Sequence, residues 1–195
     1  MNLIRNILAI IGLIAIIGGG YAYTKFSGEL NALNALDPGA KKLYSEMWEK
    51  LKVSDTSAEA TVWKMQIDDE VSAEDAAEAM SSVATELNIK AVGILPLSKE
   101  VEAKTGEKQR LLTIYQYCNP MTAMTMVQHA DAFSAYLPCR ISMVEDKQGK
   151  LWLYSLNMDL MIYGGKTLPE KLLREATTVK DVILKIMEAG ATGEF

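Results

Sequence analysis

The feature that most constrains this chain is a run of uncharged residues near its N-terminus. Arg5 and Lys25 are separated by 19 such residues, Asn6 to Thr24, most of them Ile, Leu, Ala or Gly. As an α-helix rising about 1.5 Å per residue, the run just crosses the hydrocarbon core of a bilayer, about 30 Å thick. It therefore predicts one N-terminal transmembrane helix within a membrane anchor, residues 1–25.

Two other interpretations of this run are open. A cleaved signal peptide would use Arg5 as its charged head and Gly20-Tyr21-Ala22 as a cleavage site, and a buried core helix is the third reading. The charge of Arg5 favours a cytoplasmic N-terminus, so we expect the remainder to be exported. The expected location is the inner (cytoplasmic) membrane, with a single pass and a periplasmic domain.

Residues 26–55 are predicted to form a juxtamembrane amphipathic helix and a linker. Asp37 and Pro38 suit a helix N-cap and first turn. The apolar residues that follow recur at helical spacing, and they are Leu43, Tyr44, Met47 and Leu51. The polar run from Ser54 to Ser57 leads into the next unit.

Residues 56–195 are predicted to form one α+β domain. The predicted strands are Trp63 to Ile67, Ile89 to Leu97, Leu111 to Tyr117, Arg140 to Glu145 and Lys150 to Leu156, with strand character resuming at Met158 to Tyr163. The predicted helices are Ser72 to Leu87, Asn119 to His129 and Thr167 to Gly190. Ile89 to Leu97 is apolar on both faces, which is typical of a central strand. This order predicts an antiparallel sheet with helices on one face.

Charge and residue counts exclude several classes of protein. Without Arg5 the chain has 19 basic and 25 acidic residues, a formal charge of −6, so we expect no nucleic-acid partner. One His and two Cys argue against a multi-histidine metal centre and a disulfide scaffold. No set of acid, base and nucleophile can be assembled, so the chain is interpreted as leaning away from an enzyme, and no cofactor is predicted.

Several motifs resemble the bacterial family called domain of unknown function 302. They are Cys118 to Ala123, Leu137 to Ile141, and the turn Asp146 to Gly149 leading into Lys150-Leu151-Trp152. The resemblance runs from about Val62 to the C-terminus. The membrane anchor, Pro96-Leu97-Ser98 and the end Gly193 to Phe195 are similar to a membrane-anchored subgroup from chemolithotrophic, often sulfur-oxidising, bacteria.

The resemblance implies a TATA-binding-protein-like fold with a curved antiparallel sheet, and a tendency to form homodimers. It also implies a link to sulfur or redox metabolism. It implies no activity, and the similarity to a DNA-binding fold does not carry DNA binding to this acidic chain.

Two cysteines are the main candidates for chemistry. Cys118 precedes a helix N-terminus, where a thiolate would be stabilised, and Cys139 opens the next strand. They are read as small buried residues, as a disulfide or redox pair, or as soft-metal ligands. An unbroken helix between them would hold them about 25 Å apart. We predict instead that the connection breaks before Phe133 and that both cysteines lie at one end of the sheet.

Met121 and His129 complete the candidate metal set. They lie on the helix that follows Cys118, and thiolate, thioether and imidazole are ligands that Cu(I) or haem iron selects. The alternative is that methionine is ordinary core filler and the histidine a surface residue.

Three functions are compatible with these observations. The first is a membrane-tethered, non-catalytic binding or assembly module that forms a homodimer. The second is a thiol-redox or soft-metal (copper or haem) carrier using Cys118 and Cys139. The third is an enzyme acting on a small ligand in the groove between sheet and helices. We favour the first, with a protein partner or small ligand that the sequence does not identify.

Overall fold

A computed structural model describes residues 2–194 as helices around a five-stranded sheet. Its helices are α1 (Asn2–Asn34), α2 (Ala40–Val53), α3 (Ser57–Ala60), α4 (Ala73–Glu86), α5 (Leu97–Thr105), α6 (Pro120–His129), α7 (Asp159–Tyr163) and α8 (Glu170–Thr192), with a 3-10 helix at Asp131–Tyr136. Its strands are β1 (Val62–Gln66), β2 (Lys90–Leu95), β3 (Leu112–Cys118), β4 (Cys139–Glu145) and β5 (Leu151–Leu156). Met1 and Phe195, which the predicted boundaries include, lie outside the described residues.

Helix α1 is one long apolar helix. Leu3–Asn34 is long and apolar enough to cross a membrane, with a mean hydropathy of 2.0 in its most apolar window, and none of that window is buried. These properties suit a membrane anchor, and a signal sequence shares them. The helix runs nine residues past Lys25, because Glu29 to Asn34 contain no helix breaker.

The sheet is antiparallel throughout, with strand order β1-β5-β4-β3-β2. The predicted α+β class and antiparallel sheet are confirmed, and the architecture is consistent with a TATA-binding-protein-like fold. The prediction of a central position for Ile89 to Leu97 is wrong, because β2 pairs with β3 alone and forms one edge. Most of its residues are exposed.

One face of the sheet carries the core. Residues of the three inner strands alternate in burial, and Ile141, Met143 and Leu153 are fully buried toward the helices. Helices α4 and α8 pack against each other over this face. The five predicted stripe residues of α8 are all buried, and they are Leu172, Ala176, Val179, Ile183 and Ile186.

Local signals predicted several boundaries correctly. Ser72 caps α4, because its Oγ accepts the backbone N–H of Asp75 at 3.1 Å. Asn88 follows α4 in the left-handed region, at φ 54°. In the β4–β5 turn, Asp146 Oδ1 accepts the backbone N–H groups of Gln148 and Lys150 at 2.8 and 2.9 Å. Asp146 Oδ2 accepts the Nε1–H of Trp152 at 2.8 Å.

Two predicted boundaries near the C-terminus are wrong. Met158 to Tyr163 is not a strand, because helix α7 occupies Asp159–Tyr163. The one buried residue of that helix is Ile162. Gly190 does not end α8, which continues to Thr192 and is closed by Gly193 in the left-handed region. Gly190 is instead a close-packing position against Met80.

Helix α2, within the segment predicted to be juxtamembrane, lies on the domain. The hydroxyl of Tyr44 donates to the carbonyl of Gly164 at 2.5 Å, and the N–H of Asp37 donates to the carbonyl of Gly165 at 2.8 Å. Leu43 is buried. The segment between α1 and the sheet is therefore fixed to the α7 end of the domain.

Candidate functional site

Cys118 and Cys139 lie on neighbouring strands at one end of the sheet. Cys139 is the cross-strand partner of Tyr117, so Cys118 is one residue beyond that pair. Both thiols are free. The predicted placement of the two cysteines at the same end is confirmed.

The connection between the cysteines goes out and returns. Helix α6 ends at His129, Ala130 adopts an extended conformation, and the 3-10 helix Asp131–Tyr136 leads back to β4. Phe133 packs against the core at the turn. The predicted break before Phe133 is therefore confirmed.

The N-terminus of α6 is capped by Asn119. Its Oδ1 accepts the backbone N–H groups of Met121 at 3.2 Å and of Thr122 at 3.3 Å. These are the donors that a Cys118 thiolate would have used. The expectation of a stabilised thiolate is not met, because burial raises the pKa of Cys118.

Cys139 is held more strongly in the thiol form. Burial, with a smaller contribution from the neighbouring Cys118, raises the pKa of Cys139 to about 11. Burial likewise raises the pKa of Tyr117, which faces Cys139 across the two strands. This end of the sheet is thus an apolar environment in which both thiols are protonated at neutral pH.

A small cavity of about 30 Å³ lies between this end of the sheet and the helices. That volume has room for about two water-sized groups. Five sulfur-containing side chains line it, and they are Cys118, Cys139, Met126, Met158 and Met161. The remaining lining residues are mostly apolar, including Phe133 and Val179.

The structure separates the other two candidates, Met121 and His129, from this cavity. Met121 is 80% exposed and borders an outer groove that also reaches Cys118. His129 is exposed at the end of α6, where its ring lies 6.3 Å from that of Phe133. Of the α6 methionines it is Met126, 5% exposed, that faces inward.

Sequence reasoning missed Met158 and Met161. Both belong to the segment that was predicted as a strand. A strand at that position gave no reason to expect either methionine near the cysteines. Within α7 and the residue before it, they are three apart and on one helical face. The three-residue spacing of Met158 and Met161 indicates a shared face only if the segment is helical, and the sequence pattern did not predict a helix there.

The sheet face opposite the core has aromatic and basic character. Lys64 Nζ lies 4.0 Å from the centre of the Trp152 ring and 5.6 Å from that of Tyr154, both on β5. These are cation–π contacts that hold the lysine flat on the sheet. They tie β1 to β5 and place a positive charge at the β1 edge.

The opposite edge, β2, is apolar and exposed. Val92, Ile94 and Leu95 are 44%, 60% and 40% exposed. Val101 is exposed on α5, the helix that follows this strand, and the exposed Met121 of α6 lines a groove together with Lys90. A row of free backbone groups with apolar side chains on both faces is a surface that favours pairing with another strand.

Comparisons with known proteins bear on the domain. Residues 63–190 match the family described as domain of unknown function DUF302. The crystal structure of an uncharacterised conserved protein DUF302 from Bacillus stearothermophilus is similar, with a TM-score of 0.53 and 11% identity, over 66% of this chain and 96% of that chain. At that identity the likeness shows the fold. No curated protein matches the chain. Because the family match covers well over half of its residues, the chain belongs to the family of domain of unknown function DUF302.

Proposed function

We propose that this protein is a membrane-tethered, non-catalytic assembly module that forms a homodimer through β2. We divide it into an anchor, residues 1–25, a juxtamembrane segment, residues 26–55, and the family domain, residues 56–195. The observation that carries the proposal is the exposed apolar edge of β2.

The two edges of the sheet differ in how well they are protected. At the β1 edge, Lys64 and Gln66 are exposed and α3 packs against the strand, and these are devices that discourage edge pairing. At the β2 edge the only charged residue is Lys90, at the start of the strand, and a bulge between Ala91 and Gly93 leaves the second half regular. The unprotected segment is therefore Gly93 to Leu95.

A second copy of the chain is the partner that this edge suits best. Two identical strands pair antiparallel about a two-fold axis, and every free N–H and C=O group of one segment then meets its counterpart. Exposed apolar residues on both sides of the strand would be covered at the same time. Anchoring by α1 would confine copies to one membrane plane and raise their effective concentration.

The oligomeric state of the full chain in detergent tests this proposal. Light scattering with correction for bound detergent should give a dimer at tens of micromolar. Ile94→Lys should give a monomer, because two buried charges would face each other near the axis. Val53→Lys is the matched control: Val53 is 85% exposed on α2, so the dimer should persist. A monomeric wild type, or equal effects of both substitutions, would refute the proposal.

We also propose that the domain faces the periplasm, attached to the inner membrane by α1. Arg5 at the short N-terminal end of the helix supports a cytoplasmic N-terminus. A C-terminal alkaline phosphatase fusion should be active and a C-terminal green fluorescent protein fusion dark. The reverse pattern would place the domain in the cytoplasm.

A further inference from the structure

We propose that the cavity lined by Cys118, Cys139, Met126, Met158 and Met161 is a binding site for one Cu(I) ion. This inference is independent of the assembly role above. It rests on the sulfur content of the cavity, on its size and on its mostly apolar lining.

The donors converge from separate parts of the chain. Cys118 ends β3, Cys139 begins β4, Met126 belongs to α6, and Met158 and Met161 come from the α7 segment. Both cysteines of the chain, and three of its 11 methionines, therefore line a space of about 30 Å³. Sequence neighbourhood does not account for this convergence, because the five residues span more than 40 positions.

The donor chemistry selects the ion. Thiolate and thioether sulfurs are soft ligands that prefer Cu(I), whereas carboxylate and imidazole groups suit harder or borderline ions. No carboxylate or imidazole lines this cavity within residues 2–194, and no group of three or more His, Cys, Asp or Glu side chains in that range is arranged to hold a metal ion. The lining therefore fits a sulfur-bound monovalent ion better than Zn²⁺ or Mg²⁺.

The charge of the bound site also favours a monovalent ion. When Cu⁺ binds, one cysteine thiol releases its proton to solvent and forms a thiolate–copper bond, and methionine thioethers complete the coordination as neutral donors. The resulting site has no net charge, so its burial among Phe133, Val179 and other apolar residues avoids the desolvation cost of an ion. No change in oxidation state is involved.

An entry route is visible on the outer side of the site. Cys118 borders both the cavity and the outer groove, and the exposed Met121 lines the same groove. An ion arriving at the groove would meet the thioether of Met121 and the side chain of Cys118, which lines both spaces. Met121 is thus placed for capture, and the inner methionines for retention.

Anaerobic titration of the full chain in detergent with Cu(I), in competition with bicinchoninate, tests the proposal. We expect one ion per chain and an X-ray absorption spectrum with sulfur neighbours alone. Cys118→Ser with Cys139→Ser should abolish this binding. Met126→Leu and Met161→Leu conserve volume, and each should weaken retention by about 10-fold or more.

Two residues of α6 provide matched controls. Met124→Leu changes a methionine that is 57% exposed, and His129→Ala removes the exposed histidine, so both should retain wild-type affinity. If the double serine variant does not fold, as judged by circular dichroism, the conservative methionine variants and the absorption spectrum decide. Failure of the wild type to compete for Cu(I), nitrogen neighbours in the spectrum, or losses at His129 without losses at Met126 and Met161 would overturn the proposal.

Discussion

Substitution of Gly190 by alanine tests how tightly α8 is packed against α4 and the sheet. A Cβ atom at this position would lie 2.6 Å from Met80 Cγ, 3.1 Å from Met80 Sδ and 3.0 Å from Leu153 Cδ1. Met80 and Leu153 are both fully buried, so neither side chain can withdraw into solvent. The glycine is thus a requirement of close packing.

The expected magnitude follows from two opposing effects. Replacing glycine by alanine inside a helix stabilises it by about 1 kcal/mol. Forcing an extra methyl group into a filled core costs about 1–3 kcal/mol. The three contacts of the added Cβ atom are all about 3 Å or shorter, so we place the packing cost in the upper half of that range. Subtracting the gain in helix stability leaves a net destabilisation of about 1–2 kcal/mol. For a chain of this size, that lowers Tm by roughly 2–8 °C.

Urea unfolding of the full chain in mild detergent, followed by tryptophan fluorescence, measures this difference, since Trp63 packs against the core. Gly165→Ala is the control, because nothing lies within 4 Å of a Cβ added there. A double-mutant cycle with Met80→Ala should show favourable coupling of about 1 kcal/mol, as the added methyl then occupies vacated space. A Gly190→Ala variant as stable as the wild type would show that Met80 moves aside and that the packing argument is wrong.

Three further predictions follow from other parts of the molecule. The chain should stay with membranes after alkaline carbonate washing, because α1 contains an apolar stretch long enough to span a membrane; a mature N-terminus at Tyr23 would show cleavage instead. Hydrogen bonds to the carboxylate, first from the N–H of Lys150, lower the pKa of Asp146, so its stabilising effect is present at pH 7 and is lost as the pH falls below about 4. Asp146→Asn should therefore lower the urea midpoint at pH 7 and leave a smaller difference from the wild type near pH 3; a constant difference would contradict this. Maleimide at pH 8 should modify Cys118 faster than Cys139, whose pKa is raised to about 11 by burial, and equal rates in the two single-cysteine variants would contradict this.

Local patterns in the sequence were sufficient to predict most elements of the domain. Helix ends are set by single residues, here Ser72, Asn119 and Asn88, through their own side chains or backbone conformation. Such interactions involve residues adjacent in the sequence, so a short sequence pattern is enough to predict them. The five stripe positions of α8 follow from helical period alone. The antiparallel sheet followed from the order and spacing of these elements.

The position of β2 within the sheet could not be predicted in this way. An apolar run is equally expected for a strand buried on both faces and for an edge strand awaiting a partner. Strand order depends on contacts between residues far apart in sequence, here β3 with β4 and β4 with β5. The edge position gives the apolar character of Val92, Ile94 and Leu95 a different meaning, since it supports the proposed pairing of β2 with a second chain.

The candidate site was likewise predictable only in the parts that depend on residues close together in the sequence. Sequence position placed Met121 and His129 on α6, but it did not reveal which side of the helix faces the sheet, and both residues lie outside the cavity. The inward side is marked by the pair Thr122 and Met126, four residues apart and both buried. The sulfurs of α7 arrive from 40 residues away, and only the fold brings them to the same cavity. The proposed metal site therefore depends on tertiary packing and not on a local sequence motif. For that reason, conservative changes at Met126 and Met161 distinguish a buried site from a surface site better than changes at the cysteines alone.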